Sequence, residues 1–125
     1  MSVITQRTNL GDLLKYEAPN LYSRETATLA AGQNLALGTV LGKKTADGKL
    51  HALAPAASDG TEAAIGVLAT DTDATLIDRE DALLIARHAI VARNGLIWPA
   101  GITAPQKATA TAQLTALGVL VRESA

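Results

Sequence analysis

The chain has 125 residues and a formal net charge of −1, the size of one domain, with acidic and basic residues interspersed. It contains no cysteine and no basic stripe, which excludes disulfides, thiol catalysis and Cys-ligated metals and argues against nucleic acid as a partner. Because no apolar run approaches the roughly 18–20 residues of a membrane span and the N-terminus lacks a signal-peptide pattern, we expect a soluble cytosolic protein without membrane contact.

The first 24 residues differ in composition from the rest of the chain. They mix polar and charged side chains with isolated apolar ones, and a Pro-Asn pair interrupts any helix. The stretch 10–14 predicts one amphipathic turn, which is too short to be stable by itself. We therefore expect a flexible arm at 1–24 and a β-rich domain at 25–125. The alternative is a frayed terminus or a strand that packs on its own domain.

Beyond residue 24 the sequence alternates short apolar runs with turn residues, the pattern of β structure. Asp47-Gly48 predicts a hairpin between the second and third of these runs, because Asp-Gly readily adopts the backbone of a tight turn. A polar acidic loop follows the fourth run, at 70–73. The predicted strands lie at 25–30, 39–45, 49–54 and 64–69.

The last third of the chain contains the clearest helix. Residues 82–93 fit either a helix or a strand, and their β-branched residues and the following Asn-Gly pair favour a strand. A helix is predicted over 107–117, with Thr103 as its N-cap, Pro105 just inside its start and Gly118 after its end. A closing strand follows, so the sequence predicts a mainly β fold with one short C-terminal helix.

The stretches of the sequence that come nearest to a catalytic or cofactor-binding motif do not match it. The stretch from Gly38 to Thr45 has the wrong spacing for a phosphate-binding loop, which needs four residues between its glycines and Ser or Thr directly after the lysine. His51 and His88 lie far apart and have no ligand partners at metal-site spacing, and the acidic residues within 71–81 lack the spacing of a calcium loop. We therefore predict no catalytic residue, no metal, no cofactor and no small-molecule substrate.

Four stretches of the chain, rich in Gly, Ala and aliphatic residues, occur in a specific order. They are LGDLLKYE at 10–17, LALGTVLG at 35–42, DG followed by AIGVLA within 59–69, and GLIWPA at 95–100 followed by an Ala-rich helix and GVLVR at 118–122. This ordered set resembles the phage lambda-type head decoration protein family from Leu10 to Arg122. The Trp-Pro pair before a helix and a final strand makes the combination more specific than any single motif.

The resemblance implies a small β-clip-like barrel and a protein that is not an enzyme. It also implies a homotrimer that binds the major capsid protein at local threefold points on the outer surface of the phage head, after assembly in the host cytoplasm. Such a trimer would stabilise the expanded head against the pressure of packaged DNA. The alternatives are another structural phage module, such as a tail or baseplate β domain, and a ligand-binding or enzymatic barrel.

The arm is less rich in Pro and Ala than the lambda type, and it carries apolar residues that we expect to contact the capsid. These expected anchors are Leu10, Leu13, Leu14, Tyr16 and Tyr22. Tyr22 has the alternative of packing on its own barrel. The expected core residues are Val40, Ile65, Val67, Leu68, Ile97, Trp98, Pro99, Val119 and Val121.

Overall fold

The structure, a computed structural model, describes residues 10–17 and 23–123. These residues form ten strands, two α-helices and one 3-10 helix, so the predicted mainly β fold with a short C-terminal helix is confirmed. The elements are α1 (Leu10–Leu13), β1 (Leu14–Glu17), β2 (Arg24–Leu29), β3 (Gln33–Leu35), β4 (Val40–Lys43), β5 (Leu50–Ala52), β6 (Gly66–Leu68), β7 (Thr72–Ala74), β8 (Arg79–Ile85), β9 (Ala89–Ala92), the 3-10 helix (Arg93–Gly95), α2 (Ala104–Ala116) and β10 (Val119–Arg122).

Five strands close a barrel in the order β2-β5-β4-β6-β8. The β4–β5 pair is the hairpin predicted around Asp47-Gly48, and Gly48 adopts the positive φ of 68° that this turn requires. The β2–β5 pair is parallel and short, and the side chain of Gln33 supplements it. Its Nε2 donates to the carbonyl of Leu50 at 3.1 Å, and its Oε1 accepts from the backbone N–H of Ala52 at 2.9 Å. The amide thus satisfies backbone groups where the barrel closes.

A second sheet has the order β1-β9-β10, with β1 antiparallel and β10 parallel to β9. This sheet places residues 10–17 within the folded domain, whereas the sequence assigned them to a flexible arm. Leu13 is 0% exposed and belongs to the core, and an added Cβ on Gly95 would lie 3.1 Å from its side chain. One helical turn is unstable alone, but here the burial of Leu13 and the ladder with β9 hold it in place.

The segment 82–93, predicted as one strand, belongs to two. The chain leaves β8 in the barrel, turns at His88 with a φ of 49°, and enters β9 in the second sheet. Ser23 stabilises this turn, because its hydroxyl donates to the carbonyl of His88 at 2.7 Å. The acidic loop predicted at 70–73 also differs, since β7 pairs with β3 and leaves Asp73 pointing to solvent.

Helix α2 follows its predicted caps closely. The Thr103 hydroxyl accepts from the backbone N–H of Gln106 at 3.2 Å, and the Gln106 side chain accepts from the N–H of Thr103 at 2.9 Å. Gly118 ends the helix with a φ of 89°. Ala110 and Leu114 face the core, which fixes the inner face of the helix.

The expected core residues occupy three environments. Ile97 departs from expectation, because its side chain is 43% exposed while its backbone bonds to Gly38 and Val40 as a neighbouring strand would. Pro99 is half-buried. Ile65, Trp98 and Val121 pack partly buried against the core. The fully buried ones are Val40, Val67, Leu68 and Val119.

Candidate functional site

An apolar row crosses the outer face of the β1-β9-β10 sheet. Tyr16 pairs with Ile90, and Ile90 pairs with Leu120, so the three side chains lie side by side on neighbouring strands. Tyr16 is 53% exposed, and the other two are half-buried. A shallow depression of about 340 Å³ lies over the row and is bordered by His88 and Gly118. We call these three residues the sheet row. The row offers a flat apolar surface to a partner.

The two outer strands of this sheet, β1 and β10, carry the two ends of the sheet row, Tyr16 and Leu120. Among residues 10–17 and 23–123, no further strand pairs with the outer edge of β1 or of β10. Unpaired strand edges accept an additional strand through backbone hydrogen bonds. In the described residues the sheet therefore combines an apolar face with outer strands that each pair on one side only.

An ion pair fixes the end of β1. The Arg24 guanidinium donates two hydrogen bonds of 2.7 Å to the Glu17 carboxylate, from Nε and from Nη2. Hydrogen bonding from Arg24 holds the pKa of the Glu17 carboxyl below its ordinary value. The pair is partly exposed, so its contribution to stability is small, but its bidentate geometry sets where β1 ends relative to β2.

The expected capsid-binding residues do not share one surface. Tyr16 is exposed and belongs to the sheet row. Leu10 and Leu14 pack half-buried against the core, and Leu13 is fully buried within it. Tyr22 lies outside the described residues. Leu13 therefore stabilises the domain and is not exposed for a partner to contact.

Sequence reasoning missed Ile90 and Leu120 as surface residues. Leu120 lies between two valines, and such a continuous apolar run indicates a buried strand without showing which side chain faces out. The strand register decides the matter, and it depends on pairing between residues distant in the sequence, Tyr16 with Ile90 and Ile90 with Leu120. The sequence did contain a weak signal that this strand reaches the surface, because the closing strand ends at the charged residue Arg122.

Two further carboxyls with lowered pKa values, those of Asp59 and Asp73, accept hydrogen bonds from threonines two residues later in the chain. Thr61 donates to Asp59, and Thr75 donates to Asp73; each of these hydrogen bonds lowers the pKa of the carboxyl it reaches. These acids cap turns locally. Across the described ranges, no three His, Asp or Glu side chains come together as a metal site would require. No helix in the same ranges has the length and apolar character to cross a membrane.

Comparison with known proteins gives one match. A family model described as bacteriophage lambda head decoration protein D matches residues 3–119. A search of curated proteins found no match. The matched region includes α1, β1 to β9 and α2, and it ends at Val119, the first residue of β10.

Proposed function

Because the chain belongs to the bacteriophage lambda head decoration protein D family, we propose that it binds the outer surface of the expanded phage head as a homotrimer and stabilises the shell. The trimers occupy the local threefold points, where they resist the pressure of packaged DNA. The family match over residues 3–119 is the observation that carries this proposal. The role requires binding and no catalysis, and its partners are the major capsid protein and further copies of the chain.

The capsid-binding surface in this proposal is the sheet row together with residues 1–9. Residues 1–9 join the described chain at α1, which leads directly into β1 of the second sheet. Nine residues reach about 30 Å when fully extended, enough to cross from one trimer onto a neighbouring capsid subunit. An extended segment gains affinity from backbone hydrogen bonds to a strand edge and gains register from alternate side chains.

A trimer binds the shell with a higher apparent affinity than a single chain. Ordering a short segment costs conformational entropy, so one chain should bind the shell weakly. Simultaneous contacts by three chains raise the apparent affinity by roughly 10²–10⁴ over a single contact. Binding to the expanded lattice alone stabilises that lattice by mass action. This is the physical basis on which such a clamp strengthens a shell.

Sedimentation with empty shells tests the proposal. We expect the chain to co-sediment with expanded shells of its own phage and not with unexpanded ones. Replacing both Tyr16→Ser and Leu120→Ser should weaken binding by roughly tenfold or more, because each apolar side chain contributes on the order of 1 kcal/mol when a partner buries the part that solvent reaches. The matched control is Leu117→Ser, which removes a side chain of 40% exposure at the end of α2. A chain that stays in the supernatant with every form of shell contradicts the proposal.

A further inference from the structure

Two large aliphatic side chains project from the turn between β7 and β8. Leu76 is 90% exposed and Ile77 is 68% exposed. The turn beneath them is held by Asp73, whose carboxylate accepts from the N–H of Thr75 at 3.0 Å and whose carbonyl accepts from Arg79 at 3.3 Å. We call Leu76 and Ile77 the apolar tip. Adjacent exposed aliphatic residues on a braced turn are typical of a contact surface.

A groove runs along the outer side of α2. It has a volume of about 810 Å³, and Leu96 and Trp98 form its floor. Ala108 and Ala112 lie one helical turn apart on the adjoining face of α2, where both are exposed. Because alanine side chains are short, the helix leaves space that a partner's side chains can fill. We call this surface the α2 groove.

The two surfaces carry opposite charge at their margins. Around the apolar tip, the carboxylates outnumber the cations Lys49 and Arg79. The carboxylates concerned are Asp73, Asp78, Glu80 and Asp81. At the α2 groove, Lys107 is exposed, and Arg93 pairs with Glu123 at 2.8 Å. The tip is thus acidic and the groove weakly basic, an arrangement that favours contact between them.

We propose that the apolar tip of one copy of this chain inserts into the α2 groove of the next, and that three such contacts close the homotrimer. A copy does not fill its own groove, because its tip is exposed to solvent. Contact between two different surfaces of one chain is head-to-tail, and it produces a closed ring when the rotation closes. This inference rests on the homotrimer proposed above and assigns the residues that form it.

Disulfide cross-linking tests the contact, since the chain has no cysteine of its own. The double variant Leu76→Cys, Ala108→Cys should form covalent dimers and trimers under mild oxidation, because the two positions meet only between copies. Each single variant should stay uncross-linked. The matched control is Leu76→Cys with Thr26→Cys, which places the second thiol on the exposed face of β2. Cross-linking by Leu76→Cys alone would overturn the inference, because it would place tip against tip.

Light scattering provides the second measurement. Replacing Leu76→Ser together with Ile77→Ser should raise the concentration at which the trimer dissociates by roughly tenfold or more, without changing the melting of the fold. Leu117→Ser should leave the trimer unchanged. If the double cysteine variant does not cross-link and the double serine variant does not weaken the trimer, the tip-in-groove contact is overturned. The proposed function would still be supported by co-sedimentation of the chain with shells. A wild-type chain that is monomeric at every concentration overturns both the contact and the trimer.

Discussion

A chain that lacks residues 1–9 is expected to fold and to form trimers, yet to bind expanded shells on the order of a hundredfold more weakly. The truncated chain retains Leu13 in the core and β1 in the second sheet, so its stability should change little. What it loses is the segment that we propose adds to a capsid strand edge. Losing that segment in three chains at once removes most of the gain from multivalent binding. Co-sedimentation with expanded shells measures the loss.

The control for this truncation replaces residues 1–9 with a Gly/Ser segment of equal length, which should bind as weakly as the truncated chain. A longer deletion, of residues 1–20, is uninformative about binding. It removes Leu13, and emptying a fully buried leucine site costs about 3–5 kcal/mol. Binding of the 1–9 truncation at the wild-type affinity would contradict a capsid-contacting role for this segment.

Replacing Gly38→Ala is expected to destabilise the domain by several kcal/mol, about 4 or more. Gly38 has a φ of 99°, and an added Cβ would lie 2.2 Å from the carbonyl oxygen of Gly95. Gly95 in turn packs on Leu13, so the backbone has little room to move away. The expected loss approaches the whole stability of a small domain, about 5–15 kcal/mol. Urea denaturation followed by circular dichroism measures it.

Gly32→Ala separates the two causes of this loss. Gly32 has a similar φ of 92°, but nothing lies within 4 Å of an added Cβ. It therefore reports the cost of the left-handed backbone alone, about 1–2 kcal/mol. If Gly38→Ala proves no less stable than Gly32→Ala, the close approach of Gly38 to Gly95 adds nothing to the cost of the left-handed backbone.

Local signals in the sequence predicted much of the fold. Asp47-Gly48 determined the β4–β5 hairpin, and Thr103 and Gly118 set both ends of α2, because turns and caps depend on nearby residues. Long-range pairing was not predictable in the same way. β7 has only three residues, with an aspartate at its centre, and only its pairing with β3, nearly 40 positions earlier, makes it a strand.

The same difference between local signals and long-range pairing explains which residues of the candidate site could be predicted. Tyr16 was predicted from the sequence as one of the apolar anchors of the N-terminal arm, and it is exposed. Leu13 satisfied the same pattern, but it belongs to a core cluster whose other members come from distant parts of the chain, among them Val40 and Val91. The apolar tip escaped notice because Leu76 and Ile77 form a short apolar pair, which sequence patterns do not distinguish from a buried one.

Calorimetry of expanded empty shells, with and without the chain, tests the central claim most directly. Binding only to the expanded lattice should raise the melting temperature of the shell as the chain is added. Since three chains at each local threefold point correspond to one chain per capsid subunit, the rise should level off near that ratio. Unexpanded shells should melt unchanged. An expanded shell whose melting temperature is the same at a saturating concentration of the chain would contradict a stabilising role.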